Sequence, residues 1–434
     1  MNINPRRSAL RVLKTAGAVY AATFAAVRLR RCRHAGPVVA FAGGGAGCHV
    51  FPAIAIAEEL RKHAVEAVFL GESRGLEVHV VPQYGFTLYC ISSVGLQRPL
   101  KSVANALNVM RFPLCVAHSA WALLQAAPDV VVGLGGKVSV PACVAAVALG
   151  IPLVLYEPNA KAGAANQALH GLARQTLLAY DSAAAGLRHP ARCKVVGPAV
   201  RAEVLRCAAG GPTAVRRRRR EAREALGVTA RGSRLLLVLG GSRGCGYLNC
   251  ALNNALPQLT ALPGLHILWQ TGAKQYVSYS AGHAADLPSV RCVPYIHDMG
   301  RALSAADLVL SRAGASTVSE LAAAGAPALL VPSPAVSEEQ QAANARVLAD
   351  SGRAAVLPQL EVDELGLAPR LVPLLAPDSK SLAAMWLASC SGGGGGGGGG
   401  GSSAERGGAA AGGGDGNGSG AARARAAILQ HVRR

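Results

Sequence analysis

Aromatic residues are scarce in this 434-residue chain, at 4%, and charged residues reach only 16%. Its core must therefore be built mainly from alanine, valine and leucine, which suits helices packed on a parallel sheet. No run of about 18 uncharged apolar residues occurs, the length a membrane-spanning helix requires. The eleven cysteines are odd in number and scattered. Without a C-x-x-C pair or a histidine cluster at zinc spacing, they read as free thiols in a reducing compartment. No D-x-D motif is present, and no other carboxylate cluster is fit to hold magnesium against a diphosphate.

Acid is missing from the start of the chain: the first acidic residue is Glu58. Residues 1–36 carry eight Lys or Arg, five consecutive arginines fill 216–220, and the tail from 402 adds five more Arg against Glu405 and Asp415. These three segments hold most of the net charge of +20. The basic excess thus lies in a leader, a linker and a tail, not on an aromatic-studded face, which argues against a nucleic-acid partner. The Arg- and Ala-rich leader reads as an organelle transit peptide, pointing to a plastid; a basic arm or a surface helix is the alternative.

What is present is a repeated strand, glycine turn and helix. The apolar run PVVAFA at 37–42 meets GGGAGC at 43–48 and then a helical stretch, HVFPAIAIAEELRKH. Nearly two hundred residues later SRLLLVLGGSRGCGYLN repeats the pattern, with its glycine turn beginning at Gly240. Each is the opening of a nucleotide-fold unit. The expected class is α/β, two tandem doubly wound Rossmann-like domains with a cleft between the carboxyl ends of their sheets. The divisions are a leader at 1–36, a first domain at 37–207 and a basic flexible linker at 208–233. A second domain follows at 234–390, then a Gly-rich low-complexity segment at 391–421 and a basic C-terminal helix at 422–434.

Three segments carry candidate chemistry. His49 follows the first glycine turn, in the first turn of a helix whose positive end is expected to keep the imidazole neutral, as a general base requires. A capping or core histidine has the same local signature. Ser242 and the amides of GGSRG at 240–244 are placed to meet a phosphate at a helix start. In RAGASTVSELAAAG at 312–325, Ala315, Ser316 and Thr317 open a helix, and Glu320 stands one turn on, suited to ribose hydroxyls. The same S-T-x-x-E spacing also fits a capping box. A dinucleotide site is disfavoured, since only Glu72 stands near the position of a ribose-binding acid.

Taken in order, GGAGCHVFPA, GLE (75–77), PDVVVGLGGKVSVPA, YEPNAKAGAAN, VVGPAVR, LGGSRG, QTG, PYIHDM, SRAGASTVSELAAAG and EEQQAANA resemble the MurG family of peptidoglycan N-acetylglucosaminyltransferases, in glycosyltransferase family 28. The likeness runs from about residue 38 to 375. It implies the two-domain GT-B fold and metal-independent, inverting transfer of N-acetylglucosamine from UDP-GlcNAc to the C4 hydroxyl of a polyprenyl-pyrophosphate-linked MurNAc-peptide. Peripheral contact with an anionic membrane is implied as well, and through peptidoglycan a part in cell shape and division. It makes His49 the base, with Ala46, Gly47 and Cys48 beside it in the substrate site. Asn159 and Arg201 would touch the donor, Ser242 the diphosphate, and Ile296 the uracil. Ala315, Ser316, Thr317, Val318 and Ser319 would line the nucleotide, Glu320 would take the ribose, and Gln340 and Gln341 the sugar hydroxyls.

Six positions depart from the family pattern. Ala46 replaces Thr, Cys48 replaces Gly, and Lys137 and Val140 replace Tyr and Gly of GGYxSGP. Pro158 replaces Gln beside Asn159, and Pro198 replaces Asn before Arg201. Most lie in the first domain, so the donor follows from the resemblance more directly than the acceptor does. A galactolipid-type UDP-sugar transferase and a catalytically impaired membrane-bound homologue are the alternatives, with a nicotinamide dehydrogenase third. Leu100, Val103, Leu107 and Met110 fall on one helical face beside Lys101 and Arg111, which suits either an anionic membrane surface or an ordinary core face.

Overall fold

The computed structural model describes residues 36–95, 101–241, 243–334, 338–391 and 418–432. Among them stand two all-parallel sheets. The first holds β1 (Val38–Ala42), β2 (Glu66–Gly71), β3 (Thr87–Cys90), β4 (Val130–Gly133), β5 (Leu153–Glu157), β6 (Gln175–Leu178) and β7 (Cys193–Val195), in the order β3-β2-β1-β4-β5-β6-β7. The second holds β8 (Arg234–Leu239), β9 (Leu265–Gln270), β10 (Val290–Val293), β11 (Leu308–Ser311), β12 (Ala328–Leu330) and β13 (Ala354–Val356), in the order β10-β9-β8-β11-β12-β13. Strands such as VVAFA are buried at every residue. With no polar alternation, helices must cover both faces, and this is the α/β, two-domain Rossmann-like GT-B architecture expected. β13 went unread in the sequence because Ala-Ala-Val is too short and too alanine-rich to signal a strand.

Each sheet reverses its winding once, between β1 and β4 and between β8 and β11. Connections leave in opposite directions there and open a crevice beyond the carboxyl ends of the strands. Both glycine turns, 43–46 and 240–245, lie at these crevices. Aromatic contacts mark the first core: Phe41 stacks on Phe69 at 5.3 Å, and Phe69 meets Phe86 at 5.4 Å. Trp269 is fully buried and donates its indole N–H to Asn249 Oδ1 at 2.9 Å, the partner a buried indole needs.

Residues 208–233 are not the flexible linker the charge run implied. Gly211–Ala225 is a helix packed on the second domain. Arg219 and Arg223, four apart and so on one face, both reach Asp307, at 2.7 and 2.8 Å, and Asp307 Oδ2 also accepts the Leu235 N–H at 2.7 Å. Arg217 and Arg220 point outward, each with a glutamate four residues on. Asp307→Ala leaves three donors without their acceptor. It is expected to cost about 3 kcal/mol in urea unfolding, and a loss near zero would contradict this packing.

The last helix begins at Gly420, inside the segment assigned to low complexity, and runs to Leu429. It crosses back to the first domain, burying Ala421, Ala424, Ala427 and Ile428 against the helix Gly47–Arg61. Arg423 Nε donates to the Val196 carbonyl at 2.7 Å, and a side chain at position 420 would meet the Pro198 carbonyl at 2.1 Å. Val103–Ala126 is one helix of 24 residues despite Pro113, capped by Ser102. Against the expectation that no such segment exists, it is long and apolar enough to cross a membrane. One face of its second half, including Ser119, Leu123 and Ala126, is nevertheless buried in the first domain, while Trp121 on the other face is exposed.

Candidate functional site

On the first-domain wall, the loop after β1 is ordered by a carboxylate that its glycines make room for. Glu77 is buried and accepts the Gly45 N–H at 2.8 Å and the Glu72 N–H at 2.9 Å. A Cβ at Gly44 or Gly75 would fall 2.1–2.2 Å from its carboxyl oxygens. His49 sits in the first turn of the helix Gly47–Arg61. A carbonyl can only accept, so Nδ1–H donates to Gly44 O at 3.3 Å, which leaves Nε2 as the basic nitrogen. The ring lies against Gly136, where an added Cβ would stand 2.9 Å from Cε1.

The expected neutral imidazole is corrected by its neighbour. Burial works to lower the His49 pKa, but the Cys48 thiolate, with the Gly44 carbonyl, outweighs it and raises the value to about 9. Burial likewise opposes ionisation of Cys48, while His49 lowers its thiol pKa. A helix start stabilises a thiolate as much as it disfavours an imidazolium, so the adjacent pair favours the charged form of both.

On the second-domain wall, the bend 240–245 leads into the helix Gly246–Thr260. Gly244 has φ +78°, and a side chain there would run into the Thr271 carbonyl at 2.2 Å. Gln270 donates through Nε2 to Gly241 O at 2.8 Å and accepts the Ile296 N–H through Oε1 at 2.9 Å. The helix Ala315–Ala324 points its start into the crevice. The Ser316 hydroxyl oxygen is shielded from solvent and has no partner within the chain. Arg312 is fixed by the Val331 and Pro332 carbonyls, Gln359 Oε1 and Cys245 Sγ.

The two walls enclose a cavity of about 480 Å³. Ala46, Gly47, Cys48 and Phe51 line it from the first domain. Gly240, Gly241, Arg243, Gly244, Cys245, Gln270, Tyr295, Arg312, Gly314, Ser316, Thr317, Glu320 and Gln341 line it from the second. Arg201 spans them: its Nε and Nη2 both lie 2.8 Å from Glu320 Oε1, its Nη1 2.9 Å from Glu203, and its plane lies over the Phe51 ring. Burial opposes the Arg201 charge, but Glu320 and Glu203 outweigh it. Burial also pushes the Glu320 carboxyl up, and Arg201 offsets this only in part.

Several sequence candidates stand behind the lining instead of in it. Asn159 and Asn344 bridge the domains at 3.1 Å, and Asn344 Oδ1 accepts the Ala160 N–H. Gln340 donates to Lys161 O at 3.2 Å, whereas Gln341 lines the cavity and accepts the Ser333 N–H. Ser319 pairs with Tyr180 across the interface at 3.1 Å, and Ala315 and Val318 are core. Ile296 is buried with its N–H already taken by Gln270, while Tyr295 lines the cavity. Lys137 Nζ is 2.7 Å from Glu72. Ser242 lies outside the described residues, as do Leu100, most of the 1–36 leader and most of the glycine-rich segment. Glu77, Gln270, Asn344 and Cys245 were not singled out in the sequence, although the first three stand inside the motifs GLE, QTG and EEQQAANA. Among the described residues no group of three or more His, Cys, Asp or Glu is arranged to hold a metal ion.

Comparison with known proteins agrees with this geometry. The glycosyltransferase family 28 N-terminal domain matches residues 39–178, and the family 28 C-terminal domain matches 235–390. A Salinibacter ruber protein named UDP-N-acetylglucosamine–N-acetylmuramyl-(pentapeptide) pyrophosphoryl-undecaprenol N-acetylglucosamine transferase is 40% identical, over 75% of this chain and 85% of its own length. A Desulforudis audaxviator protein of the same name is 36% identical, over 81% and 93%. The crystal structure of Acinetobacter baumannii MurG superposes with a TM-score of 0.56 at 29% identity, covering 81% of this chain and 94% of that one.

Proposed function

The chain belongs to glycosyltransferase family 28, and on that premise we propose how its cleft moves N-acetylglucosamine from UDP to the lipid-linked N-acetylmuramyl-pentapeptide in peptidoglycan synthesis. The observation that carries the reading is the cavity at the two winding reversals, bridged by Arg201 and Glu320, with Cys48, the immediate neighbour of His49, on its first-domain wall. UDP lies against the second-domain wall. Its ribose hydroxyls take Glu320, its diphosphate meets the amides opening the helix Ala315–Ala324 with the Ser316 and Thr317 hydroxyls, and Gln270, backed by Ile296, faces the uracil. Gln341 attends the sugar. On the opposite side His49 Nε2 removes the proton from the acceptor's C4 hydroxyl as that oxygen attacks the anomeric carbon from the face opposite UDP, which inverts it.

Negative charge grows on the departing diphosphate, and fixed donors aimed there stabilise it most. Arg243, Arg312 and the helix start at Ala315 supply that field in place of a metal ion, so chelation with EDTA is expected to leave turnover unaltered. Glu320→Ala removes the ribose acceptor and strands the buried Arg201. UDP affinity is expected to fall about 100-fold, the worth of roughly two charge-assisted hydrogen bonds, as read by calorimetry. An assay offering UDP-GlcNAc and UDP-galactose side by side separates this reading from a galactolipid synthase.

The helix Val103–Ala126 supports a membrane-facing role. Val103, Val109, Met110 and Leu114 are each more than 60% exposed, beside Lys101 and Arg111. A cationic rim around exposed apolar groups favours an anionic bilayer surface, where the polyprenyl acceptor resides. Met110→Glu with Leu114→Glu is expected to reduce sedimentation with anionic vesicles by about tenfold and to spare UDP binding. The acid-free segment 1–36 supports delivery to a plastid, which microscopy of a fusion to those residues tests; a cytosolic signal opposes it.

A further inference from the structure

The donor cavity has a thiol on each wall. Cys48 occupies the first turn of the helix Gly47–Arg61, and Cys245 caps the helix Gly246–Thr260. Each therefore sits at the positive end of a helix. Each also has a nitrogen partner: His49 adjoins Cys48, and Arg312 Nε donates to Cys245 Sγ at 3.3 Å. Arg243 and Arg312 add positive charge to the same lining, whereas Arg201 is balanced by Glu203 and Glu320. The transfer chemistry uses neither sulfur. Among the described residues the other cysteines lack this setting: Cys90, Cys250 and Cys390 are exposed, Cys193 and Cys292 are half-buried away from the cavity, and Cys115, Cys143 and Cys207 are buried. Helix starts, adjacent cations and access through a cavity are what make a thiol nucleophilic.

We propose that Cys48 and Cys245 form a thiol-modification site inside the donor cavity, reactive toward peroxides and small alkylating electrophiles, whose occupation shuts off the transferase. The inference rests on the same cavity binding UDP. With hydrogen peroxide, the Cys48 sulfur attacks one peroxide oxygen and the O–O bond breaks. The leaving hydroxide takes the proton of the His49 imidazolium and departs as water. Sulfur is oxidised by two electrons to the sulfenic acid, peroxide is reduced, and His49 ends neutral. With iodoacetamide a C–S bond forms and iodide leaves. Either adduct enlarges the side chain beside Ala46 and Gly47, where the donor must lie.

The test uses the full chain, with peroxide followed by dimedone in one series and limiting iodoacetamide in another, each read by peptide mass spectrometry and residual turnover. Cys48 and then Cys245 are expected to label at least about tenfold faster than Cys90, Cys250 and Cys390. Saturating UDP is expected to slow the two cleft cysteines alone, and lost turnover should track the Cys48 adduct. The Cys48→Ser variant should keep a larger fraction of its own untreated activity. Labelling in order of exposure, no protection by UDP, or full turnover with Cys48 completely modified each overturns the proposal. Turnover of the untreated chain tests the transferase reading separately: no transfer together with UDP-protected labelling sinks that reading and leaves the thiol site standing.

Discussion

Replacing His49 with alanine is expected to lower kcat by about 10²–10⁴-fold, the usual worth of a general base, while UDP affinity changes little. The separation follows from the geometry. The cavity is lined by Ala46, Gly47 and Cys48, with the His49 ring one residue beyond, held by Gly44 O and packed on Gly136. Donor contacts therefore survive its loss, and the acceptor loses the nitrogen that takes its proton. Because the ring also fills space against Gly136, His49→Gln serves as a bulkier companion. Both variants should bind UDP normally by calorimetry and fail in single-turnover assays. A kcat within a few-fold of the parent chain excludes His49 as the base.

Replacing Cys48 with glycine is expected to raise turnover at pH 7 by about tenfold or more. The base acts only when neutral, so activity rises as pH passes upward through its pKa, which lies at about 9 beside Cys48. At pH 7 roughly one molecule in a hundred then carries a neutral imidazole. Without the thiolate, burial and the helix start are left, and both lower the value. The acid limb of the kcat profile should move down by roughly two pH units. A limb that stays in place, or turnover that falls at every pH, contradicts the Cys48–His49 pairing.

Much of this arrangement is legible in the sequence alone. Unbroken aliphatic runs ending on glycines at 43 and 240 dictate two parallel sheets, and the helix starts beyond them form the two walls. Less legible was anything set by a partner far along the chain. Glu77 reaches Gly45 across 32 residues, so its role appears only when β1 and β2 pair. The arginine run suggested solvent because a charge count ignores faces, yet Arg219 and Arg223 turn together onto Asp307, more than eighty residues away. For His49 the dipole argument treated the helix alone and left out the adjacent sulfur. Ile296 is buried with its N–H taken by Gln270, a pairing that spacing cannot reveal.

The most direct test is a crystal of the chain soaked with UDP. Ribose is expected on Glu320, diphosphate over Ser316 and Thr317, and uracil near Gln270 and Ile296. A larger cavity of about 870 Å³ lies on the second domain, between the helix Gly246–Thr260 and residues 362–373. Nucleotide bound there, with the interdomain cleft empty, would contradict this placement.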